Sequence, residues 1–247
     1  MSANNYLPRR IQDAWQRMAV PESVKAMLAL HGNPAYVSFW DDFVGDSAGT
    51  WPASANWGYP ATVGVGTETI AIAAAVGGEL TLTTNTSSGD GAGQGVGLHW
   101  NGDLNCYFAA RLKIDDITSS KFEIGLTDSV ADEGGAVDTK STPTFTATDC
   151  AVFVRDTTED VALTFVTNGG SSDGNADSAF TVANDTYFIV EIVVSGNVAS
   201  GYVNGQLAGS GNIEGGNALT PWAFVETLTT AARVLTLDWW LCIGPRS

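Results

Sequence analysis

The segment Thr186-Tyr187-Phe188-Ile189-Val190-Glu191-Ile192-Val193-Val194-Ser195 decides the fold class. Neighbours on a strand point to opposite sides, so Phe188, Val190, Ile192 and Val194 share one face. Tyr187, Ile189, Glu191 and Val193 share the other. Both faces are largely apolar, which suits an interior strand covered on two sides. Gly196-Asn197 closes the run, residues 199–203 read as a second strand, and Asn204-Gly205 suits a two-residue hairpin turn. The same period of two extends outward. Upstream, 38–43, 69–76, 79–84, 95–100, 105–114, 121–127, 151–155 and 161–167 read as strands, and downstream 222–228 and 234–243. About a dozen strands with no helical period after residue 36 predict an all-β, antiparallel two-sheet sandwich or barrel.

The first 36 residues follow a different period. Ile11, Trp15 and Met18 recur at spacings of four and three, and Pro21 suits the first turn of a second helix over 22–30. Val24, Met27, Leu28 and Leu30 give that helix an apolar side. Helices this short need a surface to lie against, either their own sandwich or another subunit. The expected organisation is an N-terminal helical arm over 1–36 and a sandwich domain over 37–247. Two polar stretches, 128–149 and 168–177, are expected to be long surface loops at one end of the sandwich. In the tandem Trp239-Trp240 one indole enters the core and the other leaves it. The arm or a partner chain would cover the outward one.

Composition narrows the function classes. The chain has 247 residues, 44% hydrophobic and only 15% charged, so it can bury a sizeable core and is not disordered. The net charge of −16 argues against a nucleic-acid partner. The charge is uneven: Arg9, Arg10, Arg17 and Lys25 outnumber Asp13 and Glu22 in the arm, while the body is strongly acidic. Cys106, Cys150 and Cys242 lie in apolar runs and read as buried reduced thiols, and no signal-peptide pattern opens the chain. No apolar run is long enough to span a membrane.

No catalytic residue emerges. His31 and His99 are the two histidines, placed at a helix end and a strand end, and no Cys-x-x-Cys occurs. Glu123 and Asp128 are the nearest counterpart to a glycosidase carboxylate pair. Their odd separation sends them to opposite faces of a regular strand. Asp173, Asn175 and Asp177 match the opening spacing of a calcium loop, but Ser178 and Asn184 stand where Gly and Glu belong. No cofactor or metal is therefore assigned, and the protein is not expected to be an enzyme. Trp51, Trp57 and Tyr59 sit in a loop with Pro and Gly, where they could stack on sugar rings, anchor a subunit contact or plug the core.

The segments Phe39-Trp40-Asp41-Asp42-Phe43, Gly78 to Thr83, Phe122 to Asp128, Thr186 to Ile192, Gly201 to Gly205 and Leu237 to Trp240 carry a further likeness. In order and spacing they resemble the concanavalin A-like (laminin-G-type) jelly rolls of tailed-phage structural gene clusters. The resemblance implies a jelly-roll sandwich over 37–247 and a capsid decoration, or cement, protein. Such a protein would be a homotrimer, or another small oligomer, on the exterior of the virion. It would be made in the host cytoplasm, with the major capsid protein as its partner. Arg9, Arg10, Trp15, Arg17, Trp51, Trp57, Tyr59 and Trp240 are the candidate capsid or subunit contacts. The alternative is a lectin-like carbohydrate-binding module of a virion fibre or spike used in host adsorption, with carbohydrate as its partner.

Overall fold

The structure is a computed structural model that describes residues 36–41, 43, 49–50, 61–63, 68–73, 78–96, 100–101, 105–129, 135–169 and 173–245. Among them the chain forms nineteen strands and no helix. In chain order the first are β1 (Tyr36–Asp41), β2 (Gly49–Thr50), β3 (Ala61–Val63), β4 (Thr69–Ala73), β5 (Glu79–Thr83), β6 (Gly91–Gly95) and β7 (Trp100–Asn101). Then come β8 (Tyr107–Ile114), β9 (Ser120–Thr127), β10 (Val137–Thr139), β11 (Thr144–Phe145), β12 (Cys150–Asp156) and β13 (Thr164–Asn168). The last are β14 (Gly174–Asp177), β15 (Phe188–Ser195), β16 (Val198–Val203), β17 (Gln206–Asn212), β18 (Ala218–Thr227) and β19 (Val234–Pro245).

These strands build an antiparallel two-sheet, jelly-roll-like sandwich: of the sandwich and barrel that the alternation leaves open, the sandwich forms, as the resemblance implies. A nine-stranded sheet runs β17-β16-β15-β8-β19-β5-β4-β2, with β1 paired to β19. An eight-stranded sheet runs β14-β13-β12-β9-β18-β6-β3, with β7 paired to β18. The core lies between them. Phe108, Leu112, Phe188, Val190, Ile192, Leu235 and Leu237 from one sheet meet Phe122, Ile124, Leu126, Phe153 and Phe165 from the other, all buried. The Asn204-Gly205 turn has both residues at positive φ, 48° and 78°, as a hairpin turn matched to strand twist requires.

Three expectations change. The segment 95–100 is not one strand; β6 ends at Gly95, and β7 begins at Trp100. The stretch expected as a loop over 168–177 contains the edge strand β14, paired to β13 with Thr164 opposite Asp177. Its Asp/Asn spacing is strand alternation. Asp177 accepts the Thr164 hydroxyl at 2.7 Å, and the Asn175 amide donates to the Lys140 carbonyl at 3.1 Å. The described part of 128–149 does not hang from one end. It returns as the small hairpin β10-β11 across the outer face of the eight-stranded sheet, where Ala136, Val137 and Ala147 are buried.

The tandem indoles divide as strand geometry demands. Trp240 is fully buried between the sheets, edge-on to Phe39 at 5.4 Å. It cannot be the surface contact expected of it; Trp239 is the outward residue and stacks on Trp40 at 5.5 Å. Arg9, Arg10, Trp15, Arg17, Trp51, Trp57 and Tyr59, with both expected helices, lie outside the described residues.

Candidate functional site

The outer face of the nine-stranded sheet carries a cluster of rings and charges that alternation brings together. Along β8, Phe108, Ala110 and Leu112 enter the core, so Tyr107, Ala109, Arg111 and Lys113 face out. In β19 the register slips between Leu237 and Trp239, a bulge that inserts Asp238 beside Arg111. Arg111 Nη1 lies 2.5 Å from Asp238 Oδ2, and Lys113 Nζ lies 3.3 Å from Glu79 Oε1. Both cations lie over the Tyr187 ring: the Arg111 guanidinium is 4.0 Å and the Lys113 ammonium 4.6 Å from its centroid. Its hydroxyl hydrogen-bonds the Glu79 carboxylate, and burial together with that carboxylate pushes the phenol's pKa up.

Next to this cluster, Trp239 and Trp40 stack at 26°; Trp40 is half-buried, while Trp239 is buried with Tyr107, Ala109, Leu241 and Ile243. The order β15-β8-β19-β1 places Tyr187, Arg111, Trp239 and Trp40 on successive strands or their extensions. At ~4.8 Å per strand the row is about 14 Å long. The Arg111 side chain is 36% exposed and that of Asp238 25%. These pairs are part-exposed, with Lys113 and Glu79 at 23% and 22%, so solvent screens part of their attraction and they can exchange partners with a ligand.

The opposite outer face holds the carboxylate that the sequence singled out. Phe122, Ile124 and Leu126 of β9 enter the core, which turns Lys121 and Glu123 outward beneath the 135–149 segment. Glu123 accepts hydrogen bonds from the amides of Ala136 (2.7 Å) and Val137 (3.1 Å) and from the Trp222 indole (3.1 Å). Lys121 Nζ is 3.6 Å away and donates to the Val137 carbonyl at 2.5 Å. Asp128 has separate work, accepting from the amides of Thr148 at 3.0 Å and Asp149 at 3.1 Å. Both carboxylates thus bind the backbone of the covering segment, and Glu123 is fully buried. This arrangement is an anchor. Burial pushes the Glu123 carboxyl up, while Lys121 and the three N–H donors draw it back.

Further along the segment, Lys140 is buried to 1%, paired with Asp160 and donating to the Ala162 carbonyl at 2.7 Å. Glu159 accepts from the amides of Lys140 at 2.9 Å and Ser141 at 2.6 Å. Phe145 and Ala147 pack with Val152, Val154, Val166, Trp222 and Phe224 beneath. All three cysteines are buried and unpaired, and burial raises Cys106 to about 12. Among the described residues no group of three His, Cys, Asp or Glu is placed to hold a metal ion.

Comparison with known proteins gives fold without family. No family model matches the chain, and no curated protein matches it. Several solved structures share the architecture. A protein of unknown function, SO2946 from Shewanella oneidensis MR-1, superposes with a TM-score of 0.61 at 13% identity. That match covers 93% of this chain and 96% of the other. A structure described with endo-acting O-glycanases of the human gut microbiota gives 0.54 at 10% identity, covering 85% and 99%. Peanut lectin gives 0.53 at 10% identity, covering 85% and 97%.

These matches correct the capsid-decoration expectation. The order and spacing of strands that suggested it belong equally to a lectin and to a glycanase-associated structure, so they carry no preference for a phage shell. The major capsid protein as partner falls with it, as does the trimer that rested on that resemblance.

Proposed function

We propose that this protein is a carbohydrate-binding module that holds a neutral glycan along the outer face of the nine-stranded sheet and does not cleave it. One observation carries the reading. Tyr187 lies on one sheet face among Arg111, Lys113, Glu79 and Asp238, which form part-exposed pairs, and the half-buried Trp40, backed by the buried Trp239, lies beside them. Ring faces suit the C–H faces of sugars, and the paired charges offer donors and acceptors to hydroxyls. The fold shared with peanut lectin and the glycanase-associated structure supports the same class. The net charge of −16 disfavours polyanionic glycans. The occupied oxygens of Glu123 support a role without turnover.

A glycan array followed by calorimetry on the strongest neutral oligosaccharide tests the proposal. Arg111→Ala and Tyr187→Ala are expected to weaken binding roughly tenfold, the worth of one or two hydrogen bonds, while the variants stay folded. No new reducing ends should appear on long incubation. Absence of array binding, affinity indifferent to both variants, or release of products that stops in Glu123→Gln would each overturn it.

A further inference from the structure

We infer a second carbohydrate site, built for a single pyranose ring, in a cleft where the β16-β17 turn meets the segment after β14. It rests on the carbohydrate-binding reading but not on the sheet face. The cleft measures about 210 Å³ and is lined by Ser178, Phe180, Val203, Asn204, Gln206 and Leu207. Drug-sized ligands fill roughly 300–1,000 Å³, so this volume suits one small ring.

The chemistry of the wall has two halves. Leu207 is 62% exposed, and Phe180 is backed by Phe188 at a centroid distance of 5.1 Å, which fixes an apolar wall. Such a wall takes the C–H face of a sugar. Around it stand three neutral hydrogen-bonding groups. Asn204 uses its Oδ1 to accept the Ile189 amide at 2.9 Å, which orients the side chain and leaves the NH2 group to donate. Its own amide donates to the Ile189 carbonyl at 2.8 Å, so the residue is held at both ends. The Gln206 amide is exposed beside it.

Ser178 supplies the independent observation. Its hydroxyl oxygen is shielded from water yet makes no hydrogen bond, although its amide is satisfied by the Leu163 carbonyl at 2.9 Å. A buried hydroxyl without a partner is costly and uncommon, and a ligand hydroxyl would satisfy it once a neighbouring side chain of the cleft turns aside to admit it. An apolar face flanked by a hydroxyl and two neutral amides, with no charged residue in the lining, selects a neutral polyol ring over a charged or wholly apolar ligand.

The test is an amide-resolved NMR titration of the full chain with methyl glycosides of glucose, galactose, mannose and N-acetylglucosamine. Concentrations should reach roughly 50 mM, well above a millimolar Kd. At least one is expected to shift the amides of 178–180 and 203–207. Ser178→Ala and Gln206→Ala should each weaken that binding roughly five- to tenfold, the worth of a hydrogen bond. Ser178→Ala should also leave thermal stability equal or higher, because it removes an unsatisfied hydroxyl; a merely structural serine would lower it. Arg111→Ala should leave the titration unchanged. Saturable shifts at these amides that both variants weaken support the site. No shifts there with any of the four, or shifts indifferent to both variants, overturn it. Oligosaccharide binding that depends on Arg111 while the cleft stays silent removes this inference alone, and the converse removes the sheet-face proposal alone.

Discussion

Glu123 sits where water is replaced by two backbone amides, an indole N–H and an ammonium group. Burial raises its carboxyl above the ordinary 4.5, and those partners offset part of the rise. The folded chain therefore keeps this proton to a higher pH than the unfolded chain does. Its contribution to stability is complete below the ordinary carboxylate value and declines as pH rises through the raised one. Glu123→Gln removes this titration. Wild-type minus variant unfolding free energy, from urea titrations at several pH values, should be flat at low pH and fall as pH rises. A difference that grows with pH would mean the N–H donors outweigh burial. Alternation alone places Glu123 on the outward side of its strand, as it separates Trp239 from Trp240. What covers an outward residue is decided by chain far away, so the sequence could not distinguish an anchor from an open carboxylate. Alternation also leaves open which of the tandem indoles enters the core, and Trp240, a candidate contact on the sequence, is the core residue.

At the scale of elements, strands with apolar alternation were readable and those without it were not. Phe188–Ser195 and Tyr107–Ile114 alternate, and both stand close to the expected bounds. Gly91–Gly95 offers no such signal, since Gly-Ala-Gly-Gln-Gly has little side chain to alternate. Its reason lies on β18. An added Cβ at Gly91 would come within 2.7 Å of the Phe224 ring, and one at Gly93 within 2.6 Å of the Trp222 indole. The glycines let those rings lie on the sheet, a requirement set more than a hundred residues away. Gly93→Ala is accordingly expected to cost about 1–3 kcal/mol through overpacking. Gly216→Ala, where nothing lies within 4 Å, should change stability by less than about 0.5 kcal/mol. Urea unfolding of the two variants checks the contrast; equal effects would mean that the indole moves aside freely. The candidate site has the same non-local character. Glu79, Arg111, Lys113, Tyr187 and Asp238 come from three strands and a connecting segment, and Asp238 arrives through a bulge. A reading of each strand's outward positions could have found Arg111, Lys113 and Tyr187, though not their meeting.

At the scale of the molecule, sequence pattern specifies the sandwich and leaves the role to the surface. A strand order shared by a lectin and a glycanase-associated structure cannot by itself choose a partner, which is why the phage resemblance carried the fold and failed on function. Charge supplies what the fold lacks. With a net charge of −16, long-range forces repel polyanions, while a neutral glycan meets only short-range contacts at Tyr187, Trp40 and the paired charges. Salt shortens the electrostatic range from ~30 Å at 0.01 M to ~3 Å at 1 M, so the two ligand classes should respond differently. Affinity for a neutral oligosaccharide is expected to change less than about twofold across that range, because contact terms are not screened. Binding of a sulfated or uronate-rich glycan should be undetectable at low salt and strengthen, if at all, only as salt rises. Calorimetry at several ionic strengths reads both. Tight binding of the polyanion at low salt, weakening as salt is added, would mean that Arg111 and Lys113 act as an anion site against the field of the whole molecule, and the neutral-glycan assignment would fail.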